Sequence, residues 1–344
     1  MTNKYRAMQI TEPGKFQLVD RVIPSPGADQ VLIRVEACGI CGADAGVIEG
    51  RESGVEYPRV PGHEVVGRIV AIGADVSPHW AIGKRVGVGR LGGHCNECMQ
   101  CRRGQFHLCR NQPVMGSSHD GGYAEMMLAR SSGLVAIPDE LNSAEAAPIL
   151  CAGIATFNAL KKSGAQAGDL VAVQGIGGLG HLAVQYARKM GFKVVAVGRG
   201  SDIAEAVGAL GAHVYIDTHA EDPVARLQAM GGADVIMSTI TDSAAASTMF
   251  PALAPHGRLI VIGVGNDPIA VQPGQLVGGE RSVQGTITGS PYECEKTLDF
   301  SVLTDVRPMI ETVPLESAGE AYQRMATGDA KFRMVLTMTQ PERV

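Results

Sequence analysis

Four closely spaced cysteines give the strongest chemical signal in the sequence. Cys95, Cys98, Cys101 and Cys109 lie within fifteen residues, in a polar segment with few aromatic side chains. Gaps of two residues between the first three cysteines, and seven before the fourth, let one loop wrap four thiolates tetrahedrally around a zinc ion. Two disulfides and an iron–sulfur cluster are the alternatives. Disulfides fit poorly because no secretory signal is recognised, so we predict a structural zinc lobe over residues 92–110 that folds with its metal.

Three other side chains are candidates for a second metal site. Cys41 follows a predicted strand, His63 is followed by Glu64, and Cys151 stands in the sequence Ile-Leu-Cys-Ala-Gly. Each is weak evidence alone, because a cysteine is often a core residue and a His-Glu pair is often a surface feature. Together, two thiolates and one imidazole would make a three-ligand zinc site with an open fourth position, which is the catalytic arrangement.

A glycine-rich loop predicts a dinucleotide site in the second half of the chain. The loop is Gly175-Ile176-Gly177-Gly178-Leu179-Gly180, between an apolar run at 170–174 and a helical pattern at 181–190. Gly175 permits a tight turn, Gly177 lets the backbone approach a pyrophosphate, and Gly180 lets the helix pack on the strand. The helix N-terminus would face the phosphate charge.

The residues after the next strand, 193–197, indicate which cofactor is bound. An NAD enzyme usually carries Asp or Glu there, whereas NADP needs space and a cation for its 2′-phosphate. This chain has Gly198 and Arg199, whose guanidinium suits a phosphate. We therefore predict NADP. NAD is the alternative if Arg199 is only a solvent-exposed loop residue and Asp202 contacts the ribose.

The elements that must position these residues divide into two kinds. Short strands at 31–37, 65–72 and 85–88, separated by Pro and Gly, predict a mostly β first domain. From residue 167 onward strands alternate with helices, which predicts a doubly wound parallel sheet. The predicted strands there are 170–174, 193–197, 213–216, 233–237, 259–262 and 282–287, and the intervening helices are 181–190, 203–210, 223–230 and 243–253. The tail predicts helices at 293–302 and 317–326 and a strand at 332–337.

Composition excludes several classes of partner. The net charge is −5 and no basic tract occurs, so neither nucleic acid nor an anionic membrane surface is an expected partner. Apolar runs such as Leu259 to Val264 are too short to span a bilayer. We expect a cytoplasmic protein of two domains, with its cysteines reduced.

The order of these motifs resembles that of the zinc-dependent alcohol dehydrogenases of the medium-chain dehydrogenase/reductase superfamily. The resemblance covers nearly the whole chain and rests on six motifs in the family order: Cys41-Gly-x-Asp44, Gly62-His-Glu64, the four-cysteine lobe, Gly121-Gly-Tyr-Ala-Glu125, Cys151-Ala-Gly and the glycine-rich loop. It implies an α/β fold with a GroES-like catalytic domain at 1–152, a Rossmann cofactor domain at 153–287, and a return segment at 288–344 that completes the first domain.

The resemblance also implies roles for single residues. Cys41, His63 and Cys151 would hold a catalytic zinc, and Glu64 would be a carboxylate that can exchange onto it. Asp44 would orient the imidazole of His63. The remaining implied cofactor contacts are Ser238 and Thr239 near the adenosine side or the ribose, and Ile262 to Val264 beside the nicotinamide.

Ala43 departs from the family pattern. Relatives carry Ser or Thr here, whose hydroxyl begins the relay that moves the alcohol proton to solvent, and Gly46 replaces a relay histidine found in some of them. An alanine cannot carry a proton. Three explanations stay open: a water replaces the hydroxyl, the reaction has become a reduction whose proton arrives elsewhere, or the activity is impaired.

The sequence therefore predicts an alcohol dehydrogenase or aldehyde reductase with two zinc ions per subunit and NADP or NAD. The partner would be a small alcohol or aldehyde, and the resemblance implies a homotetramer or dimer. A reductase of activated C=C or C=N bonds is one alternative, motivated by Ala43. A non-catalytic nucleotide-binding redox or zinc sensor is the other, although three retained ligands around an open metal position argue against it.

Overall fold

The chain forms two compact units in the computed structural model, which describes residues 3–338. The first unit comprises Met1–Ile154 and Gly289–Val344, and the second comprises Ala155–Thr288. Residues 1–2 and 339–344 of the predicted first domain and return segment lie outside the described residues.

The first unit begins with strands and only very short helices. The strands are β1 (Lys4–Glu12), β2 (Lys15–Val22), β3 (Gln30–Ile40), β4 (Val65–Ile72), β5 (Arg85–Val88), β6 (Met126–Arg130) and β7 (Leu134–Ala136), and the helices are α1 (Ala45–Ile48) and α2 (Met99–Arg102). Short 3₁₀ turns occupy Gly42–Asp44, Phe106–Leu108 and Ser131–Gly133. β1 and β2 pair as an antiparallel ribbon.

A helical segment follows these strands. α3 (Ser143–Pro148) begins at the Asn142 cap, passes through a π-helical turn at Ile149–Gly153, and continues as α4 (Ile154–Lys162). The segment Ser143–Lys162 is long and apolar enough to cross a membrane by length and composition alone. However, 78% of its most apolar window is buried inside the protein, as in a core helix.

The second unit is a parallel sheet with helices between its strands. The strands are β8 (Leu170–Gln174), β9 (Lys193–Gly198), β10 (Val214–Asp217), β11 (Ala233–Ser238), β12 (Leu253–Val261) and β13 (Ser282–Gly285). The helices are α5 (Gly180–Lys189), α6 (Ala204–Ala209), α7 (Pro223–Ala229), α8 (Ser243–Thr248) and α9 (Pro273–Val277), with a 3₁₀ turn at Phe250–Ala252. The strand order is β10-β9-β8-β11-β12-β13. From β8 the chain adds strands first on one side of the sheet and then, from β11 onward, on the other side. Ligands of such sheets bind at this switch point, beyond the carboxyl ends of the strands.

The end of the chain returns to the first unit. It supplies α10 (Pro291–Thr304), β14 (Ile310–Pro314), a 3₁₀ turn at Leu315–Ser317, α11 (Ala318–Thr327) and β15 (Arg333–Thr337). β15 pairs antiparallel with β3, so the first unit's seven-stranded sheet runs β14-β15-β3-β4-β5-β7, with β6 also paired to β3. Its core includes Ile33, Ile69 and Tyr123, all buried.

The predicted α/β fold class is confirmed, since a mostly β part is combined with a doubly wound parallel sheet. All six predicted strands of the second unit occur, but β12 spans Leu253–Val261 where 259–262 was predicted. Five strands of the first unit were not predicted: β1, β2, β6, β7 and β14. In β2, five of the eight residues are exposed and the apolar ones do not alternate regularly, so its sequence carries no clear strand period.

Candidate metal centre and nucleotide loop

Four predicted metal-site residues meet in the first unit. One ligand atom from each of Cys41, His63, Glu64 and Cys151 lies within 4.8 Å of the others. The Sγ atoms of Cys41 and Cys151 are 3.9 Å apart. Zinc–sulfur bonds of about 2.3 Å in tetrahedral geometry require sulfur atoms about 3.8 Å apart. The two thiolates therefore stand at the spacing that a single zinc ion needs.

Local backbone features bring these side chains together. Cys41 follows directly after β3 and precedes the 3₁₀ turn at Gly42–Asp44. Cys151 lies in the π-helical turn between α3 and α4, and such turns are frequent at functional sites. Gly62, just before His63, has a φ of +100°, and a Cβ there would lie 2.4 Å from the ring of Tyr123. Only glycine fits that position.

The Asp44 carboxylate contacts three groups of the site and fixes their positions. Asp44 is 2% exposed, and its Oδ1 lies 2.8 Å from His63 Nδ1. Its Oδ2 accepts hydrogen bonds from the Cys41 backbone N–H and the Tyr123 hydroxyl, both at 3.0 Å. With His63 Nδ1 occupied by Asp44, the imidazole presents its other nitrogen to the cysteines.

His63 Nε2 fits a metal ligand. This atom is buried and has no hydrogen-bond partner among residues 3–338, which is unusual for a buried polar atom and is what a ligand nitrogen would show without its ion. Burial lowers the pKa of His63, but the Asp44 and Cys41 charges outweigh it and raise that pKa to about 10. The surroundings thus favour positive charge at this point.

Glu64 is held by a partner that sequence analysis missed. Arg333 of β15 donates from Nη2 to both carboxylate oxygens of Glu64, and both side chains are almost fully buried. Burial raises the pKa of Glu64 to about 7, with Arg333 opposing the rise. A Cβ at Gly39 would lie 1.9 Å from Glu64 Oε2, so the missing side chain at Gly39 leaves room for this pair.

Arg333 and Tyr123 were not predicted as site residues, although the sequence carries a weak signal for each. Arg333 is the single charged residue in the predicted apolar strand 332–337, and Tyr123 lies inside the Gly121–Glu125 motif that carried the resemblance. A charged residue inside a buried strand requires a partner. Nothing in the sequence identifies Glu64, 269 residues away, as that partner.

The structure places no hydroxyl at the two relay positions. Ala43 is exposed, and a Cβ at Gly46 would lie 3.0 Å from Glu52 Oε2. The Glu52 carboxylate accepts a hydrogen bond from Ser117 Oγ at 2.5 Å and pairs with Arg90. The space beside Gly46 is therefore occupied by a carboxylate that two other groups hold.

The four cysteines of the predicted lobe also converge. Their sulfur atoms lie within 4.8 Å of one another, with four contacts between 3.5 and 4.0 Å. All four are free thiols. Backbone N–H groups, first that of Cys101 and then that of Arg110, lower the pKa of Cys98 to about 6. Such donors stabilise the thiolate form that binds metal.

The glycine-rich loop lies at the carboxyl end of β8 and leads into α5. Gly175 has a φ of +88°, and a Cβ at Gly180 would lie 1.9 Å from the Gly175 oxygen. Both glycines are therefore required by the fold itself. Gly177 differs, because a Cβ there would meet nothing within 4 Å. The absence of a side chain at Gly177 leaves open space, and a phosphate group would fit there. Gly178 and Leu179 complete the turn and are partly buried.

The predicted ribose-side residues are Gly198, the last residue of β9, and Arg199, which follows it. A Cβ at Gly198 would come 2.8 Å from the Tyr215 hydroxyl, which donates to the Gly200 oxygen at 2.7 Å. The phenol thus occupies the space that an acidic side chain at residue 198 would need. Arg199 is exposed.

The remaining predicted cofactor residues follow β11 and β12. Thr239 Oγ1 donates to the Gln174 and Gly175 oxygens, joining the end of β11 to the loop after β8. Ser238 is buried, and its Oγ has no hydrogen-bond partner in the described part of the chain. Ile262 is half-buried, and Val264 is 86% exposed.

The sequence is similar to two known protein families and to several known dehydrogenases and reductases. Residues 27–139 match the family "Alcohol dehydrogenase GroES-like domain", and residues 178–302 match the family "Zinc-binding dehydrogenase". The chain is 40% identical to the alcohol dehydrogenase patD of Penicillium expansum, over 97% of this chain and 98% of that protein. It is 34% identical to the aldehyde reductase AdhA of a Synechocystis strain, over 98% and 99% of the two chains.

A solved structure resembles the whole fold. The protein named CAD from Helicobacter pylori, complexed with NADP(H), superposes with a TM-score of 0.86 at 26% identity and covers 98% of this chain and 99% of its own.

Proposed function

Because this chain belongs to the alcohol dehydrogenases of the medium-chain dehydrogenase/reductase superfamily, we propose that it interconverts a small aldehyde or ketone and its alcohol with NADP(H). The observation that carries the proposal is the convergence of Cys41, His63 and Cys151, together with the buried His63 Nε2, which has no hydrogen-bond partner among residues 3–338. A set of two thiolates and one imidazole leaves a fourth position open for substrate.

Each of these residues has a task in the proposed reaction. Cys41, His63 and Cys151 would hold a catalytic zinc, and Cys95, Cys98, Cys101 and Cys109 a structural one. When bound, the catalytic zinc supplies a Lewis acid for the carbonyl oxygen and the nicotinamide supplies the hydride. Asp44 holds the proton on His63 Nδ1, and Arg333 holds the Glu64 carboxylate beside the ligands.

The proton of the alcohol must move by a route that does not use a side-chain hydroxyl at residue 43. Ala43 neither donates nor accepts a proton. Its exposure supports a water at that place as the group that replaces the hydroxyl. We expect slow turnover of simple alcohols, because losing general acid or base help costs about 10² to 10⁴ in rate.

Binding of NADP(H) is proposed for the second unit. The glycine-rich loop would hold the pyrophosphate at the α5 N-terminus, with Arg199 facing the 2′-phosphate. The Tyr215 phenol beside Gly198 supports NADP over NAD, since it excludes the carboxylate that reads a free ribose. We further propose that the two compact units are the catalytic and cofactor domains, and that the subunit forms a homo-oligomer.

The test is the product formed from one conjugated aldehyde by the zinc-loaded protein, with NADPH and with NADH. We expect the allylic alcohol, formed faster with NADPH. A saturated aldehyde would instead identify a C=C reductase, and cofactor binding without any product would identify a non-catalytic sensor.

Two variants test the cofactor choice. Arg199→Ala should weaken NADPH binding about tenfold, the loss of roughly one charge-assisted contact, and leave NADH unchanged. Arg226→Ala, an exposed arginine of the same unit paired with Glu221, is the matched control. If both variants bind NADPH equally well, Arg199 does not read the phosphate.

A further inference from the structure

A cavity in the first unit is unrelated to the chemistry described so far. It has a volume of about 410 Å³ and lies between the β1–β2 ribbon and the segment 113–130, within the about 300–1,000 Å³ usual for small-ligand sites. None of Cys41, His63, Glu64 and Cys151 lines it.

The charged groups of this cavity are predominantly cationic. Arg21, Arg59 and Arg130 line it, and Asp120 is the single acidic residue among its lining residues. Arg21 and Arg59 share that one carboxylate, with Nη1 atoms 2.6 and 3.1 Å from its two oxygens. Arg130 donates from Nη1 to the backbone oxygen of Asn111 at 3.2 Å, and among residues 3–338 its one ion pair is with the exposed Asp29, at 3.3 Å. The lining therefore carries two positive charges in excess.

Two further observations indicate unused binding capacity. Arg59 Nε is buried and has no hydrogen-bond partner within residues 3–338. A buried guanidinium nitrogen without a partner is costly, so the Arg59 side chain keeps one donor that the described protein groups leave unused. Burial lowers the pKa of His119 in the same wall, and the charges of Arg59 and Arg130 lower it further, as expected of a positively charged enclosure.

Apolar side chains form part of the remaining wall, beside the polar Gln30, Ser118 and His119. Val60, Met115 and Leu128 contribute to it. An inorganic anion would leave these side chains against water, whereas an organic acid would cover them. Arginine forks also match the planar geometry of a carboxylate.

We propose that this cavity binds a small organic acid, with its carboxylate between Arg59 and Arg130 and its apolar body against Val60, Met115 and Leu128. The ligand belongs to a different class from the uncharged alcohol or carbonyl substrate, so the proposal does not depend on the function proposed above.

Calorimetric titration of the zinc-loaded full-length chain at low ionic strength tests this site with three probes. Benzoate should bind, and benzamide, its uncharged analogue of the same shape, should bind about tenfold or more weakly because it lacks the charge-assisted contacts. Inorganic phosphate should bind more weakly than benzoate. Equal binding of benzamide, tighter binding of phosphate, or no binding of benzoate would each overturn the proposal.

Three variants locate the binding. Arg130→Gln should weaken benzoate about tenfold, whereas Arg68→Gln, an exposed arginine of β4 outside the cavity, should not change it. Asp120→Asn should tighten benzoate binding, because it frees two guanidiniums while its amide oxygen can still accept from Val60 N–H. Misfolding cannot produce that gain. If neither Arg130→Gln nor Asp120→Asn changes benzoate binding, benzoate binds outside this cavity, for example at the metal. That result would overturn the assignment.

Discussion

The Asp44 carboxylate serves three groups at once: His63, Cys41 and Tyr123. A buried carboxylate with every oxygen occupied is rigid, so one residue fixes both the ring of His63 and the turn that presents Cys41. Precision at the metal centre thus depends on a residue that is not itself a proposed ligand, and on the Tyr123 hydroxyl behind it.

Ala43 gives a prediction at the residue scale. Ala43→Thr should raise the rate of alcohol oxidation by about 10² or more, because it adds a hydroxyl at the position where the family resemblance implies the start of a proton relay. Ala43→Val is the control, since valine has the shape of threonine without its hydroxyl. Steady-state rates across pH are the measurement. Equal rates for the two variants would show that proton transfer does not limit the reaction.

The buried Glu64–Arg333 pair gives a second residue-scale prediction. Arg333→Leu leaves Glu64 buried without its partner and should lower the free energy of unfolding by about 3–5 kcal/mol. Glu64→Leu combined with Arg333→Leu should lose much less, because no charge remains buried. Urea denaturation measures both. Arg324→Leu, which breaks a partly exposed pair with Glu311, should cost less than about 1 kcal/mol. An equal loss for the single and double variants would contradict this account.

At the element scale, the loop after β8 contains glycines of two kinds. Gly180→Ala should destabilise the protein by about 1–3 kcal/mol, since its Cβ would overlap the Gly175 oxygen. Gly177→Ala should leave stability nearly unchanged, since its Cβ meets open space, but should weaken NADPH binding about tenfold. Thermal melts and cofactor titrations separate the two effects. A stable Gly180→Ala protein, or unimpaired NADPH binding by Gly177→Ala, would contradict the prediction.

The four-cysteine lobe should behave as a separate element. It contains only the short helix α2 and a 3₁₀ turn, so its fold depends on metal. Cys98→Ser should reduce bound zinc from two ions per chain to one, and should increase proteolysis within residues 92–110. Elemental analysis with limited digestion tests this, and Cys38→Ser, a buried thiol outside both clusters, is the control. Two ions retained by Cys98→Ser would contradict a four-thiolate site.

Sequence patterns indicated local structure directly, whereas contacts between distant residues were expected only where the motifs and the resemblance grouped them, as for Cys41, His63 and Cys151. The strand–loop–helix around Gly175 is contiguous, and the spacing of Cys95 to Cys109 describes a single loop. The pairing of Arg333 with Glu64 depends on β15 joining β3, which no local period indicates. The cavity beside Arg59 could not be predicted either, because its walls come from residue 5 and from the separate stretches 21–30, 59–60 and 113–130.

At the scale of the whole molecule, we expect the two units to bind separate ligands. NADPH should bind within residues 155–288, whereas zinc should bind only the other unit. At 100 times its dissociation constant NADPH should stabilise its unit by about 2.7 kcal/mol. Hydrogen exchange of the β8–β13 amides should slow by the corresponding factor of about 100. Exchange that slows only in the strands of the first unit would contradict this division.

The pairing of Glu64 with Arg333 also has a consequence for how the protein is made. Glu64 leaves the ribosome early, but its partner is added 269 residues later, after the whole of the second unit has been translated. Domains generally fold in the order of their synthesis, so the second unit can fold while the first still lacks β15. Until Arg333 emerges, a carboxylate destined for complete burial has no counter-charge. We therefore expect the metal centre to be the last part of the nascent chain to close, with zinc acquired after translation has passed residue 333.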